Sequence, residues 1–199
     1  SALTPGVKSL KGGSGERAVN TMLDEGFSVS KGGVEKMKGI ITDLNKQVTE
    51  KIANAPNTTT IDKATIAGNL RTTLDKFKTS LDATSDIKVI KSQFDALMNH
   101  PIFTGRYMSV QDAHAMKLGI QRKLSDAFGE MTTAAKEGQK AIQAGAREQV
   151  SNMIPEVAGL NARESRILNA LEYAQRKAWQ EGNKAPLPAF SLLAHSPAT

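Results

Sequence analysis

Three consecutive segments with helical patterns, between Ser109 and Gln180, constrain the fold of this chain more than any other feature. In the first segment, apolar residues recur at intervals of three or four, which places them on one face of an α-helix. These residues are Ala113, Met116, Ile120, Leu124 and Phe128. Because each amphipathic helix must bury its apolar face, the three segments predict a shared helical core.

Local signals predict the ends of the first helix. The Ser109 hydroxyl can accept a hydrogen bond from the amide of Asp112, and Gly129 can end the helix. The basic residues of this helix are expected to lie off the apolar face. They are Lys117, Arg122 and Lys123.

The second helix is rich in alanine and spans residues 132–153. Gly138 and Gly145 interrupt it at a cost of about 1 kcal/mol each relative to alanine, but small residues there would let a neighbouring helix approach closely. Pro155 ends this helix because proline has no amide hydrogen to donate. The third helix is predicted to begin at Asn161, since Glu164 three residues later gives the spacing of a capping box.

Two further helices are predicted in the first half of the chain. The first is capped by Ser28 or Ser30, reaches Ala53, and has heptad spacing at Val34, Met37, Ile41, Leu44 and Val48. The second is capped by Asp62 and carries apolar residues at Ile66, Leu70, Leu74, Phe77 and Leu81. A connection of a few residues between them predicts an αα-hairpin.

Shorter elements complete the pattern. A short helix is predicted from residue 14 or 15 to Gly26, and another from Asp86 to His100 and Pro101. Residues 102–108 are expected to be a connector with a turn at Gly105.

The predicted fold class is all-α, an elongated helical bundle in which an αα-hairpin precedes three amphipathic helices. Aromatic residues are only 5% of the chain, so its core must come from aliphatic residues and methionine, as in packed helices. The expected divisions are a linker or arm at 1–13, a hairpin region at 14–100, a three-helix region at 101–181, and a proline-containing tail at 182–199.

The charge pattern argues against nucleic acid as a partner. The net charge is +6, but each third of the chain carries the same small excess of positive charge, whereas a nucleic-acid surface concentrates it. Cysteine is absent, and His100, His114 and His195 lack the spacing of metal ligands. We therefore expect no metal, no cofactor and no small-molecule substrate. His114 is expected to be a partly exposed helix residue.

Catalytic patterns are also missing, so no catalytic residue is predicted. Glu25 is the one candidate, because a carboxylate at a helix end before a glycine turn is how some lysozyme-like enzymes place their acid. No second carboxylate or aromatic cleft supports it. A stretch long and apolar enough to span a membrane is absent as well.

The tail is the predicted interaction segment. Prolines exclude a continuous helix there, yet it contains an apolar cluster, Leu187, Phe190, Leu192 and Leu193. These side chains are expected to dock on another copy or on a partner. The chain begins with Ser1 and ends with Thr199 without a helix stop, so we expect a piece of a longer protein.

The order of these segments resembles a helical region of large virion-associated proteins of tailed phages and prophages. The resemblance lies in residues 22–26, residues 33–37, the Ser109 segment with Phe128, the Ala-rich helix and the Asn161 helix. It implies a non-enzymatic structural or ejection-associated segment, in the virion after assembly in the host cytoplasm, that contacts other virion proteins or copies of itself. The alternatives are a peptidoglycan-acting enzyme segment and a helical region that accompanies a bacterial toxin domain.

Overall fold

The structure is a computed structural model that describes residues 13–56, 58–101, 103–126 and 131–182. It is mostly helical with one small two-stranded sheet, which confirms the predicted all-α class. Contacts divide the chain into two compact units, residues 1–43 with 163–199, and residues 44–162. Within the described residues, the first unit therefore holds 13–43 and 163–182, and the predicted division at residue 100 stays a prediction.

The first unit contains helix α1 (Ser14–Asp24), the beginning of α2 (Lys31–Ala53) and most of α8 (Ala158–Gly182). As predicted, α1 stops before Gly26, whose positive φ of 64° suits glycine. The Ser30 hydroxyl accepts a 3.1 Å hydrogen bond from the amide of Gly33 and so caps α2. The buried apolar residues of the first unit are Ala18, Met22, Phe27, Met37, Ile41, Ile167, Ala170 and Ala174.

The second unit contains the remaining elements, in chain order. After the end of α2 come β1 (Thr60–Asp62), α3 (Lys63–Ile66), α4 (Gly68–Phe77), α5 (Ala83–Met98), β2 (Tyr107–Ser109), α6 (Val110–Asp126), α7 (Thr133–Met153), a 3-10 turn (Pro155–Val157) and the beginning of α8. The heptad residues Leu44 and Val48 of α2 are buried, as their spacing predicted.

Helix α7 is the centre of the second unit. It packs against α6, α4, α5, α3 and β1. A helix that touches neighbours on several sides must be small or apolar around much of its circumference. Its buried residues other than Gln143 meet that requirement: Ala134, Gly138, Ala141, Ile142, Gly145, Ala146 and Val150.

The two strands pair antiparallel, with Ile61 opposite Met108. Both of these side chains are buried, and they contribute to the core of the second unit. Asp62 begins α3, since its carboxylate accepts a 2.9 Å hydrogen bond from the amide of Ala64. The sequence predicted the cap but missed the strands, because three-residue strands show little alternation.

The helix predicted from Asp62 through Leu81 is divided and shorter in the structure. It breaks at Ala67, resumes as α4 and ends at Phe77, so that Leu81 lies in a turn and is fully exposed. Helix α4 packs on α7 and on α5. The αα-hairpin of α2 and α4 stays a prediction. Helix α5 begins at Ala83, three residues before the predicted start.

The predicted starts of the last three helices have different outcomes. Ser109 accepts a 3.0 Å hydrogen bond from the amide of Asp112, which confirms the predicted cap. Thr132 accepts one of 3.3 Å from the amide of Ala135, so α7 begins where the predicted span 132–153 begins. Asn161 is not a cap, because α8 already begins at Ala158 after the 3-10 turn. The predicted stop at Gly129 lies outside the described residues.

The close approaches predicted at the glycines of α7 are confirmed. A Cβ added at Gly145 would lie 2.1 Å from the carbonyl oxygen of Ile66, and one at Gly138 would lie 2.2 Å from the amide oxygen of Gln93. The first contact is with backbone, which cannot turn away as a side chain can. Gly145 therefore sets the distance between α7 and the end of α3.

We expect Gly145→Ala to lower the free energy of unfolding by about 2–3 kcal/mol, because the new methyl group forces α3 away from α7. The matched control is Gly119→Ala in α6, where a Cβ meets no atom within 4 Å. That change should raise stability by about 0.5–1 kcal/mol through helix propensity. Denaturant unfolding of both variants measures the difference, and equal effects would contradict the close approach.

Candidate functional site

A buried polar cluster of the second unit surrounds Lys117. The prediction that this lysine lies off the apolar face is wrong, since its exposed fraction is 0%. Its ammonium nitrogen donates to the amide oxygen of Asn45 at 2.9 Å and to that of Asn161 at 3.4 Å. A buried ammonium requires such acceptors, because its desolvation is otherwise very costly.

The two asparagines extend the hydrogen bonds back to α6 and on to α7. The Asn45 amide nitrogen donates to the Gln121 amide oxygen at 3.3 Å, and the Asn161 amide nitrogen donates to the Ser151 hydroxyl at 2.9 Å. We call this set, with Lys117, the Lys117 network. Its members come from α2, α6, α7 and α8, so one charged group connects four helices within residues 44–162.

His114, one turn before Lys117 on α6, is also buried, with an exposed fraction of 2%. The expectation of a partly exposed residue is therefore wrong. Its Nε2 atom lies 3.0 Å from the Thr49 hydroxyl oxygen, and that hydroxyl lies 2.9 Å from the Asn45 carbonyl oxygen. Because a hydroxyl has one hydrogen, donation to the carbonyl leaves Nε2 as the donor to Thr49.

A sequence signal for these buried polar groups existed. Lys117 follows Ala113 by four residues and precedes Ile120 by three, which is the spacing of the apolar face. Asn45 likewise follows Ile41 by four and precedes Val48 by three. Polar residues at apolar positions of two helices indicate buried partners, although spacing alone could not show that they meet each other.

In the first unit, Glu25 forms an ion pair with Arg163 of α8. Both carboxylate oxygens accept hydrogen bonds, at 2.9 Å from Nε and 2.7 Å from a terminal nitrogen. The hydrogen bonds from Arg163 lower the pKa of Glu25 against the opposing effect of burial, and the charges of Arg166 and Lys36 add to the lowering. A general acid in a glycosidase needs the opposite shift, so this geometry holds Glu25 as an ionised structural partner.

A second ion pair lies at the surface, where β1 meets β2. Arg106 donates from Nε to the Asp62 carboxylate at 2.8 Å, and its guanidinium carbon lies 5.5 Å from the centre of the Tyr107 ring. The hydrogen bonds from Arg106 and from the Ala64 amide lower the pKa of Asp62. Tyr107 is exposed, so this corner presents an aromatic ring beside a charged pair.

The other sequence candidates are not brought together. His100 stacks on Phe103 with ring centres 4.5 Å apart, while His195 and the tail cluster lie outside the described residues. That cluster comprises Leu187, Phe190, Leu192 and Leu193. Across residues 13–56, 58–101, 103–126 and 131–182, no group of three potential metal ligands is found. A helix long and apolar enough to cross a membrane is likewise not found in the described part of the chain.

We expect Lys117→Met to lower the free energy of unfolding by about 3 kcal/mol. The change keeps the volume but leaves the buried oxygens of Asn45 and Asn161 without their donor. Lys123→Met is the matched control on the exposed face of the same helix, and it should change stability by less than about 0.5 kcal/mol. Urea unfolding measures both variants. Similar small effects would show that the network does not stabilise the fold.

The Glu25 ion pair predicts a pH dependence. Since its folded pKa is lowered, its stabilising effect is complete above the unfolded pKa of about 4.3 and is lost as the pH falls through the folded pKa. Glu25→Gln should therefore be less stable than the wild type at pH 7 and equally stable at the acid end of this range. Asp24→Asn is the control, because Asp24 is exposed and makes no ion pair among the described residues. A stability difference for Glu25→Gln that is the same at all pH values would contradict this role.

Comparison of the chain with protein-family models, with curated proteins and with solved structures gives no match.

Proposed function

We propose that this chain is a non-enzymatic structural segment of a larger virion-associated protein of a tailed phage or prophage. Its role is to hold protein–protein contacts with other virion proteins or with copies of itself. The observation that carries the non-enzymatic part of the proposal is the Lys117 network. The virion context comes from the sequence resemblance alone.

The Lys117 network supports a structural role because its polar groups form hydrogen bonds with one another. The ammonium of Lys117 is fully buried and donates to Asn45 and Asn161, and the asparagines in turn donate to Gln121 and Ser151. A satisfied buried network fixes the relative positions of helices, because a shift of any one of them breaks hydrogen bonds that water cannot replace. This is the behaviour expected of a scaffold.

The Glu25 geometry supports the same proposal against the peptidoglycan-acting alternative. Arg163 occupies both oxygens of the carboxylate, and the lowered pKa keeps it ionised. An acid that protonates a glycosidic oxygen must carry a proton near the working pH. The intact chain should accordingly release no peptidoglycan fragments, and lysis that Glu25→Gln abolishes would favour the enzyme.

Exposed apolar side chains are candidates for the protein–protein contacts. In the second unit these are Leu81, Phe94, Tyr107 and Met153, and in the first unit Leu23. Aromatic side chains are enriched at interface hot spots because they bury a large area at a small cost in side-chain entropy. The apolar tail cluster adds a further predicted contact.

The tail provides the test of the interaction role. We expect removal of residues 183–199 to leave the helical circular dichroism signal nearly unchanged and to reduce self-association in sedimentation velocity. The reason is that each buried apolar Å² contributes about 25 cal/mol to an interface. A full-length control with Leu187, Phe190, Leu192 and Leu193 changed to serine should reproduce the loss.

Two other results would count against this assignment. If the truncated chain unfolds, the tail belongs to the core of its own chain, and the contact surface must lie among the exposed residues of the two units. If the truncated chain stays folded and its association is unchanged, the tail makes no contact between copies, and the prediction for these four residues is wrong.

A further inference from the structure

Lys63, the first residue of α3, is a second fully buried lysine, and its surroundings differ from those of Lys117. Its ammonium nitrogen donates to the backbone carbonyl oxygen of Met98 at 3.0 Å and also to that of Phe103. Its own amide donates to the carbonyl of Arg106 at 3.0 Å. The side chain and the amide of Lys63 thereby tie α3 to Met98, Phe103 and Arg106 along the connection from α5 to β2.

The position of Met98 explains why a cation is stable there. Met98 is the last residue of α5, where carbonyl groups lack an intrahelical donor and the helix dipole has its negative end. Phe103 supplies a second carbonyl from the connecting segment. Within the described part of the chain, Lys63 forms no ion pair with a carboxylate, so carbonyl dipoles and the helix end balance its charge.

We propose that the carbonyl oxygens of Met98 and Phe103 form a binding site for a primary ammonium ion, and that the chain fills this site with its own Lys63. The bound ammonium holds Met98 and Phe103, on either side of residue 102, against α3. It also fixes the start of β2, where Arg106 and Tyr107 are presented at the surface.

The chemistry of the site selects a primary ammonium among cations of similar charge. Such a group carries three N–H donors, and two of them are directed here at carbonyl oxygens. A quaternary ammonium has the charge without donors, and an alcohol has one donor without the charge. If Lys63 is shortened to alanine, the atoms removed correspond to n-propylammonium, so the vacated space should accept that ion.

The experiment uses the full chain with Lys63→Ala. Without additive, we expect the midpoint of thermal unfolding to fall by roughly 5–15 °C, because two part-buried carbonyl groups lose their donor. Amide hydrogen exchange in a peptide covering residues 99–106 should become faster. Addition of n-propylammonium chloride should reverse both changes in a saturable manner and should leave the wild-type chain unaffected.

Several controls separate the site from nonspecific effects. Tetramethylammonium chloride and 1-propanol at the same concentrations should give no recovery. In Lys117→Ala, the acceptors that remain are side-chain amides that can turn away. Addition of n-propylammonium to this variant should therefore not slow amide hydrogen exchange in residues 99–106. Lys63→Met fills the space without any donor, so it should exchange faster in this segment than the wild type and should not respond to n-propylammonium.

Three results would overturn the proposal. The first is equal recovery of Lys63→Ala by 1-propanol, which would show that the space and not the ammonium matters. The second is wild-type exchange of residues 99–106 in Lys63→Met. The third concerns the case in which Lys63→Ala does not fold. If n-propylammonium then fails to restore folding and Lys63→Met is indistinguishable from the wild type, no ammonium site exists.

Discussion

The satisfaction of buried polar groups is the constraint on which the second unit depends. A core built from small and aliphatic residues can slide, because such side chains pack in many similar ways. The ammonium of Lys117 prevents this, since its acceptors Asn45 and Asn161 lie on different helices and must both stay within reach. The network therefore selects one relative arrangement of helices whose apolar faces alone would allow several.

Helix α7 shows how close packing and polar satisfaction work together. Its glycines allow the backbone of α3 and the side chain of Gln93 to come near, and the Gln93 amide donates to the carbonyl of Ala135 at 2.9 Å. The same helix supplies Ser151 to the Lys117 network. Loss of helix propensity at Gly138 and Gly145 is therefore offset by contacts that a larger residue would prevent.

The two buried lysines solve one electrostatic problem in different ways. Lys117 donates to the side-chain amides of Asn45 and Asn161, whereas Lys63 donates to two backbone carbonyls, one of them at a helix end. The ion pairs of Glu25 and Asp62 lie nearer to solvent and hold ionised carboxylates against arginine. In each of these four cases the charged group holds separate elements together, which is why we infer a scaffold.

The sequence by itself determined the helical class, most helix boundaries and the apolar faces, because these depend on the local periodicity and on caps such as Ser109 and Asp62. It also indicated the close approach at Gly145, since glycine inside a helix needs a packing reason. The tertiary structure alone decided which polar residues are buried together. Lys117 meets Asn45 across 72 residues and Lys63 meets Met98 across 35, and no local rule specifies such pairs. It also decided that Asn161 faces the core instead of capping a helix, because the 3-10 turn after Pro155 starts α8 one turn early. The physical reason is that burial depends on distant segments, while periodicity and caps depend on near neighbours.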